Sequence, residues 1–451
     1  MKLAAASGGG AGRACRALCL LVLAPLALSV SLGACARKGE GADRGALADG
    51  GSNSGPASTV PRKVRLSVLA GQSTPDPGIE GMIDDLLERE LPDVELEWER
   101  VDWGDKFESQ MQAKFAAGEV PDIMIGKAQD VATYLPSGNL APIPPSVLRF
   151  VRKEALRSVS AEGRAFGAPY NAFYQGVFYN KDIFARLGLR PPRTREELDA
   201  EVGRIRAAGI TPFAAEFGEN WYAGNVVMQL AMGDVFDRVP DWGDKFRAGK
   251  VSFSGSKEYR GCILELQDIL RESWPDALAI DSSECDERFA SGEAAMYVTG
   301  SWTLQTVNVV NPGMKLGVFP FPNSGGDAKL LFEPNMTFML SSRTDHPDEA
   351  AKVLEMIFGS RDLASEIFDF TRSSSLLNDS GTIIPLPIQS DVDRFRREER
   401  VADVTLGNTQ LIWSFQQDMA VRLGEWLQGK ASLSSALEHA DGDRALSGPV
   451  N

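Results

Sequence analysis

Apolar positions from residue 64 onward change between a period of two and a period near 3.6. Val64–Ala70 and Val94–Trp98 alternate as β-strands, and Ile79–Leu91 between them has the apolar spacing of an amphipathic helix. A strand, helix, strand succession predicts a right-handed parallel unit. Another strand is predicted at Ile123–Ile125. In such α/β sheets, ligands bind beyond the carboxyl ends of the strands.

The aromatic-rich segment Glu162–Asp182 lies near the middle of this pattern. It predicts a strand, a turn marked by glycine and proline, and a second short strand at Gly176–Tyr179. A helix at Ile183–Leu187 ends at Gly188, and Thr194 with Glu197 has the spacing of a capping box that opens another helix.

The rest of the chain mixes both periods and shows no internal repeat. Further strands are predicted at Ala294–Val298, Leu316–Pro320 and Asn335–Leu340. Further helices are predicted at Arg195–Ala208, Trp221–Met232, Lys257–Leu270, Asp281–Ser291, Pro347–Phe358, Ala402–Trp426 and Leu433–His439. The succession predicts an α/β fold with mixed sheets.

Residues 1–34 have the pattern of an export signal. Lys2, Arg13 and Arg16 precede the apolar run Ala17–Leu32, and small residues lead to Cys35. We expect a lipoprotein signal peptide with lipidation at Cys35; an ordinary signal peptide or a single anchor helix is the alternative. Residues 35–61 are rich in Gly, Ser, Ala, Asp and Pro, and are expected to form a flexible tether.

Composition and charge narrow the range of partners that the protein could bind. The chain has 451 residues, 43% of them hydrophobic, and a formal charge of −15, to which Lys2, Arg13 and Arg16 contribute three positive charges. An acidic body argues against nucleic-acid partners and against electrostatic binding to anionic lipid. Beyond residue 35 the cysteines are Cys262 and Cys285, which either pair in a disulfide or remain as buried small side chains.

The residue types speak against the common hydrolase classes. The two histidines, His346 and His439, are poor material for a catalytic triad or a zinc site. No Cys-x-x-Cys, His-Glu-x-x-His, P-loop or Gly-x-Ser-x-Gly motif occurs in a fitting context. We therefore predict no catalytic residue, no metal and no cofactor.

Four stretches in register resemble one family. They are the central segment Glu162–Asp182, Gly118–Ile123, Phe289–Trp302 with its Gly-Ser-Trp ending, and Asp348–Lys352. In this order the sequence resembles the extracellular solute-binding proteins of family 1, the sugar-binding lipoproteins of bacterial ABC importers, of which the maltose-binding protein is typical. The resemblance covers roughly residues 62–440.

The resemblance implies a two-lobed type II periplasmic-binding-protein-like fold, α/β in class, with discontinuous lobes joined by a hinge. Lobe I would comprise residues 62–171 and 335–375, and lobe II residues 172–334 and 376–451. The implied partners are a carbohydrate and the permease subunits of an ABC transporter. The protein would be a monomer outside the cytoplasmic membrane, anchored by lipid at Cys35.

A sugar site needs aromatic side chains for C–H faces and carboxylates, amides or lysines for hydroxyls. The resemblance places ligand contacts after the strands and at the crossing between lobes, where Phe173 stands at the position of a glutamate in the maltose-binding type. The candidate ligand-binding residues are Trp302, Ser301, Tyr170, Asn171, Phe173, Tyr174, Lys127, Gln129, Glu216, Trp221, Asn335 and Trp413.

Other functions remain open at the level of sequence. The chain has acids enough for the carboxylate pair of a lipid-anchored glycoside-acting enzyme, but no spacing selects two of them. A binding protein for a non-sugar solute, or a scaffolding lipoprotein of the envelope, are further alternatives. The scaffold would not need aromatic residues at strand ends.

Overall fold

The computed structural model describes residues 63–72, 78–102, 105–380, 386–404 and 419–442. The predicted signal peptide, the tether, Cys35 and Trp413 lie outside these residues. Within them, no helix is both long and apolar enough to span a bilayer.

One sheet runs through the molecule, with a separate small hairpin formed by β5 and β6. The strands are Val64–Gln72 (β1), Val94–Asp102 (β2), Ile123–Gly126 (β3), Leu140–Ala141 (β4), Ser160–Ala161 (β5), Arg164–Ala165 (β6), Ala168–Asn180 (β7), Thr211–Ala214 (β8), Ala294–Gly300 (β9), Leu316–Phe319 (β10), Leu330–Ser341 (β11), Ser374–Ser375 (β12) and Val401–Asp403 (β13). In the large sheet, neighbouring strands follow the order β2-β1-β3-β11-β7-β9-β8.

Helices cover this sheet. They are Gly78–Glu90 (α1), Asp105–Ala117 (α2), Ala128–Tyr134 (α3), Pro145–Leu148 (α4), Lys181–Leu187 (α5), Arg195–Ala207 (α6), Asn220–Ala231 (α7), Trp242–Arg247 (α8), Lys257–Arg271 (α9), Ser282–Ala290 (α10), Thr303–Val310 (α11), Pro347–Gly359 (α12), Arg361–Thr371 (α13), Gln389–Arg397 (α14), 419–427 (α15) and Leu433–Gly442 (α16). Leu135–Ser137 and Lys153–Val159 are 3₁₀ turns, and Met232–Phe236 is a π-helical turn.

The predicted N-terminal unit is confirmed. Strand β1 pairs in parallel with β2 through α1, and also in parallel with β3. Local signals are confirmed as well: the Asn180 side chain accepts from the amides of Asp182 and Ile183 at the start of α5, and Thr194 and Glu197 form the predicted capping box of α6.

The central segment differs from the prediction of two short strands. Ala168–Asn180 forms one continuous strand of 13 residues. Gly176 does not break it, because a Cβ there would lie 2.7 Å from the Phe319 carbonyl oxygen, so glycine permits β10 to pair closely with β7. The helix predicted at Ala402–Trp426 is also wrong at its start, since Val401–Asp403 pairs in parallel with β11 as β13.

The long strands β7 and β11 pass between two hydrophobic cores. Their antiparallel pairing runs from Leu331 opposite Gln175 to Phe338 opposite Ala168. Ala172 belongs to the core of β1, β2, β3, α12 and α13, whereas Tyr174 belongs to the core of β8, β9, α7 and α9. On β11 the same change falls between Leu331 and Met336.

The third segment at this crossing is β12, whose Ser374 and Ser375 pair with Ala172 and Asn171. Leu376 and Leu377, just after β12, pack in the first of these cores. Two lobes with separate cores are thus connected by three adjacent segments, which is the architecture that the fold class predicted.

The two cysteines of the described lobes are not joined. Cys262 and Cys285 are both free and buried, so the buried alternative holds for them. Burial raises the pKa of each thiol above its ordinary value.

Candidate functional site

Strand β7 presents different residues on its two faces at the crossing. Tyr170, Ala172 and Tyr174 share one face, and each is at most 1% exposed. Phe173 points to the opposite face and is only half-buried. Because side chains alternate along a strand, the same 13 residues supply core contacts on one side and candidate ligand contacts on the other.

Three half-buried aromatic side chains meet beside this face. We call Phe173, Trp221 and Trp302 the aromatic group. The Trp302 ring centroid lies 5.9 Å from that of Phe173 and 5.9 Å from that of Trp221, with interplanar angles of 77° and 71°. Such edge-to-face pairs contribute about 0.5–1.5 kcal/mol beyond their burial. The group is therefore a preformed apolar surface.

The backbone around Trp302 explains its place. A Cβ on Gly300 would lie 2.2 Å from the Trp302 ring, so glycine lets the indole fold back over the end of β9. Ser301 is fully buried; its amide donates to the Tyr174 carbonyl at 2.8 Å, and its hydroxyl accepts from the Tyr174 amide at 3.1 Å. Ser301 thus anchors the loop rather than facing a ligand.

A polar network crosses between the lobes next to the aromatic group. We call it the Glu333 network; it consists of Lys127, Gln129, Gln175, Asn225, Gln229 and Glu333. Glu333 is opposite Phe173 in the β7–β11 pairing and is 2% exposed. Residues directly opposite in an antiparallel pair extend to the same face, so Glu333 and Phe173 border one site.

On the first-lobe side of the network, Lys127 Nζ lies 3.7 Å from Glu333 Oε1, and Gln129 Nε2 donates to the same oxygen at 3.4 Å. These two residues lie at the start of α3, just after β3. Both residues therefore lie beside the crossing, and their contact with a ligand stays a prediction.

On the second-lobe side, Gln175 Nε2 donates to Glu333 Oε2 at 2.6 Å. Asn225 Nδ2 donates to Gln175 Oε1 at 3.0 Å, and Gln229 Nε2 donates to Asn225 Oδ1 at 2.9 Å. The network thus connects α7 of the second lobe to the loop after β3 of the first.

Some acceptors of this region have no protein partner. Among the described residues, Gln129 Oε1, Gln229 Oε1 and Thr299 Oγ1 are buried and make no hydrogen bond. Buried polar atoms without partners are uncommon in folded proteins. Gln129 and Gln229, at the two ends of the network, therefore each keep a buried oxygen that no protein donor uses.

Two acids lie deeper in the second lobe. Glu216 is 0% exposed and accepts from the Tyr297 hydroxyl, and burial raises the pKa of its carboxyl well above the ordinary value. Burial also raises the pKa of Asp286 to about 6, opposed by hydrogen bonds from residues including Thr303, whose hydroxyl donates to it at 2.7 Å. Glu216 therefore belongs to the core and lies outside the aromatic group.

The other sequence candidates have structural contacts. Tyr170 stacks on Phe368 in the first-lobe core, with ring centroids 5.5 Å apart. The Asn171 side chain donates to Ser373 Oγ at 3.0 Å. Tyr174 is hydrogen-bonded to Arg396 through its hydroxyl. Half-buried Asn335 accepts from the Met336 amide through its own side chain, and Met336 has a positive φ of 43°.

Sequence reasoning missed four members of the Glu333 network, namely Gln175, Asn225, Gln229 and Glu333. A signal existed: each is a polar residue inside an otherwise apolar strand or helix. Nothing in the period of either element says that these interruptions converge, because they lie on three separate segments of the chain.

The described residues contain no cluster of histidine, cysteine and carboxylate side chains that could hold a metal ion. The site is made of aromatic rings, amides and one lysine–carboxylate pair.

A two-lobed α/β protein with half-buried aromatic and polar side chains at the lobe crossing has the form of a ligand-binding protein. Residues 70–362 match the model of the family described as bacterial extracellular solute-binding protein. The chain belongs to this family, whose members act outside the cytoplasm.

Curated relatives agree with this assignment. The chain is similar to the multiple sugar-binding protein of Streptococcus mutans, with 24% identity over 66% of this chain and 72% of the relative. It is also similar to the melibiose/raffinose/stachyose-binding protein MelE of Bacillus subtilis, with 24% identity over 49% of this chain and 52% of that protein. All of these are binding proteins.

Solved structures share the fold. A solute-binding protein RafE in complex with raffinose superposes with a TM-score of 0.70 at 18% identity, covering 85% of this chain and 100% of RafE. A chitin oligosaccharide binding protein gives a TM-score of 0.73 at 20% identity, over 85% of this chain and 99% of that one.

Proposed function

We propose that this protein is the substrate-binding component of an ABC importer and that it binds a carbohydrate between its two lobes. The observation that supports this most directly is the aromatic group lying beside the Glu333 network at the crossing of the lobes. Aromatic faces pack against the apolar C–H faces of a sugar, and carboxylate and amide groups bind its hydroxyls.

The charges of the site favour an uncharged ligand. Lys127, the cation of the Glu333 network, is paired with Glu333. Carboxylates at Glu219 and Glu333 lie close to the aromatic side chains. A neutral sugar gains hydrogen bonds from these groups, whereas a phosphoester would meet like charge.

Closure follows from the position of the site. Phe173 and Glu333 lie on the crossing strands, Lys127 and Gln129 on the first lobe, and Trp221 and Trp302 on the second. A ligand that contacts both lobes stabilises the closed state, and only such a difference in affinity between open and closed states can shift the hinge. The closed form is the state proposed to deliver the sugar to the permease.

The remaining features are proposals of the same kind. The lobes comprise residues 62–171 with 335–375, and 172–334 with 376–451, except that Ala172, Leu376 and Leu377 pack in the core of the first lobe and so belong to it. Cys35 is acylated after cleavage of the signal peptide, and the tether holds a monomeric binding domain clear of the membrane. The protein performs no bond-making or bond-breaking chemistry.

The test is a thermal-shift screen of the purified protein against sugars that include raffinose, stachyose and chitin oligosaccharides, together with polyols and amino acids. A ligand that binds only the folded state raises the melting temperature once its concentration exceeds Kd. We expect a sugar to raise it in the wild type and to have no effect on Trp302→Ala, since this variant lacks the central ring of the aromatic group.

Product analysis of each hit separates the alternatives. A sugar recovered unchanged supports transport binding. A sugar recovered cleaved would show a glycoside-acting enzyme instead. If an amino acid or another solute raised the melting temperature and no sugar did, the protein would still be a binding protein, but its ligand would not be a carbohydrate.

A further inference from the structure

Glu219 lies immediately before α7, yet its carboxylate makes no cap bond to that helix. Its Oε2 accepts instead from the Trp221 indole N–H at 2.6 Å and from the Ser282 hydroxyl at 2.9 Å. Its Oε1 accepts from the Ser282 amide at 3.3 Å. One carboxylate therefore joins a ring of the aromatic group to the first residue of α10.

The loop that carries Glu219 is held by close backbone contacts. The Gly218 amide donates to the Ile280 carbonyl at 3.1 Å, and a Cβ on Gly218 would lie 2.5 Å from that oxygen, so the loop is pressed against the segment that leads into α10. The Glu219 amide is bonded to the Glu216 carbonyl at 3.2 Å. The amino end of α10 also favours a negative charge at this position.

The contact restricts the orientation of Trp221. An indole has a single hydrogen-bond donor, and a bond to a charged acceptor is stronger than a neutral one. With its N–H held by Glu219 and its ring in a T-shaped contact with Trp302, the indole of Trp221 keeps one orientation without help from a ligand.

We propose that Glu219 is a positioning residue for ligand recognition: it orients the Trp221 indole so that the aromatic group is preorganised for stacking on a sugar. This inference rests on the proposed function. Preorganisation raises affinity because the ordering cost is met before the ligand binds. Glu219 acts through Trp221 and does not itself need to contact the ligand.

The experiment is a double-mutant cycle in the full chain, with raffinose and stachyose as probes in isothermal titration calorimetry. Glu219→Asp keeps the charge at α10 but withdraws the carboxylate by one methylene; Trp221→Phe keeps an aromatic ring and removes the indole donor. We expect Glu219→Asp to lower the affinity about tenfold and Glu219→Gln, which retains an acceptor oxygen, to lower it less than threefold.

The decisive result is the coupling. Adding Glu219→Asp to Trp221→Phe should cause no further loss, because the bond it disturbs is already absent. Independent losses in the double variant would overturn the proposal. Glu284→Ala is the matched control. It removes an exposed acid from the first turn of α10, the helix whose first residue Glu219 contacts, and we expect unchanged sugar affinity.

Near-ultraviolet circular dichroism of the ligand-free proteins gives a second readout. Glu219→Asp should alter the tryptophan bands and Glu219→Gln should largely retain them. Unchanged bands in Glu219→Asp would overturn the positioning role even if a sugar binds. If the bands change but no sugar binds the wild type, the proposed function fails and the role in recognition fails with it, while the orientation of Trp221 by Glu219 stands.

Discussion

At the residue scale, burial of the Asp130 carboxyl group makes the stability of the fold depend on pH. Asp130 follows the first-lobe strand β3, and burial raises its pKa from 3.8 to about 7, although a bond from the Lys127 amide and the Lys127 charge oppose this. The folded protein therefore holds a proton on Asp130 at pH values where the unfolded chain has released it.

The sign of the effect on stability follows by linkage. Because the folded-state pKa is raised, the contribution of Asp130 to the free energy of unfolding decreases as pH rises from about 4 to about 7 and is constant above. Asp130→Asn should remove this decrease, which is at most about 4 kcal/mol for three pKa units. Urea unfolding of both proteins from pH 4 to 8 measures it; parallel stability curves would contradict the assignment.

Gly300 gives a second residue-scale prediction. A Cβ at this position would meet the Trp302 ring, so Gly300→Ala should displace the indole and weaken sugar binding at least tenfold. Calorimetric titration with the sugar that gives the largest thermal shift measures the loss. Gly203→Ala is the control: it adds a methyl group in open space on α6, and an unchanged affinity is expected there.

At the scale of elements, the capped start of α6 contributes to stability and not to recognition. Thr194 accepts from the Glu197 amide at the start of α6. Thr194→Ala should lower the free energy of unfolding by about 1 kcal/mol, because the helix loses an N-cap acceptor. Denaturant titration provides the measurement.

Thr194→Ser keeps the capping hydroxyl and should remain near the wild type in the same titration. Sugar affinity should stay unchanged in both variants, since α6 carries no member of the aromatic group or of the Glu333 network. If Thr194→Ala lost sugar affinity under conditions in which all of the protein is folded, α6 would be part of the binding site.

The elements also show how much a pattern determines. The parallel β1–α1–β2 unit, the Asn180 and Thr194 caps and the helix from Pro347 are confirmed because each depends on residues close in sequence. Within the continuous strand β7, the pattern predicts only the short strand Gly176–Tyr179, after a turn marked by glycine and proline. Gly176 interrupts the apolar pattern of the segment. A glycine is needed there because β10, which lies about 140 residues further along the chain, approaches the backbone closely.

At the scale of the whole molecule, the lobes should move as bodies about the crossing strands. Small-angle X-ray scattering of the protein with saturating sugar should give a smaller radius of gyration than the ligand-free protein, because contacts with both lobes favour closure. Trp302→Ala at the same sugar concentration is the control and should show no change. An unchanged radius in the wild type at full occupancy would reject closure.

The sequence alone determined the class of the protein and indicated several candidate ligand-binding residues. Motifs in register indicated a two-lobed solute-binding fold, and Trp302, Trp221, Phe173, Lys127 and Gln129 were predicted from their places after strands or at the crossing. These predictions rest on local order: a strand end, a glycine before a tryptophan, a polar loop after a buried strand.

Only the tertiary structure decided which candidates meet. Strand alternation turns Tyr170 and Tyr174 into the cores, and burial removes Glu216 from the site. Pairing of β7 with β11 brings Glu333 opposite Phe173, and packing of α7 brings Asn225 to Gln175. Contacts between residues far apart in the sequence, 50 positions for Asn225 and Gln175, have no local pattern, because they depend on how complete strands and helices pack.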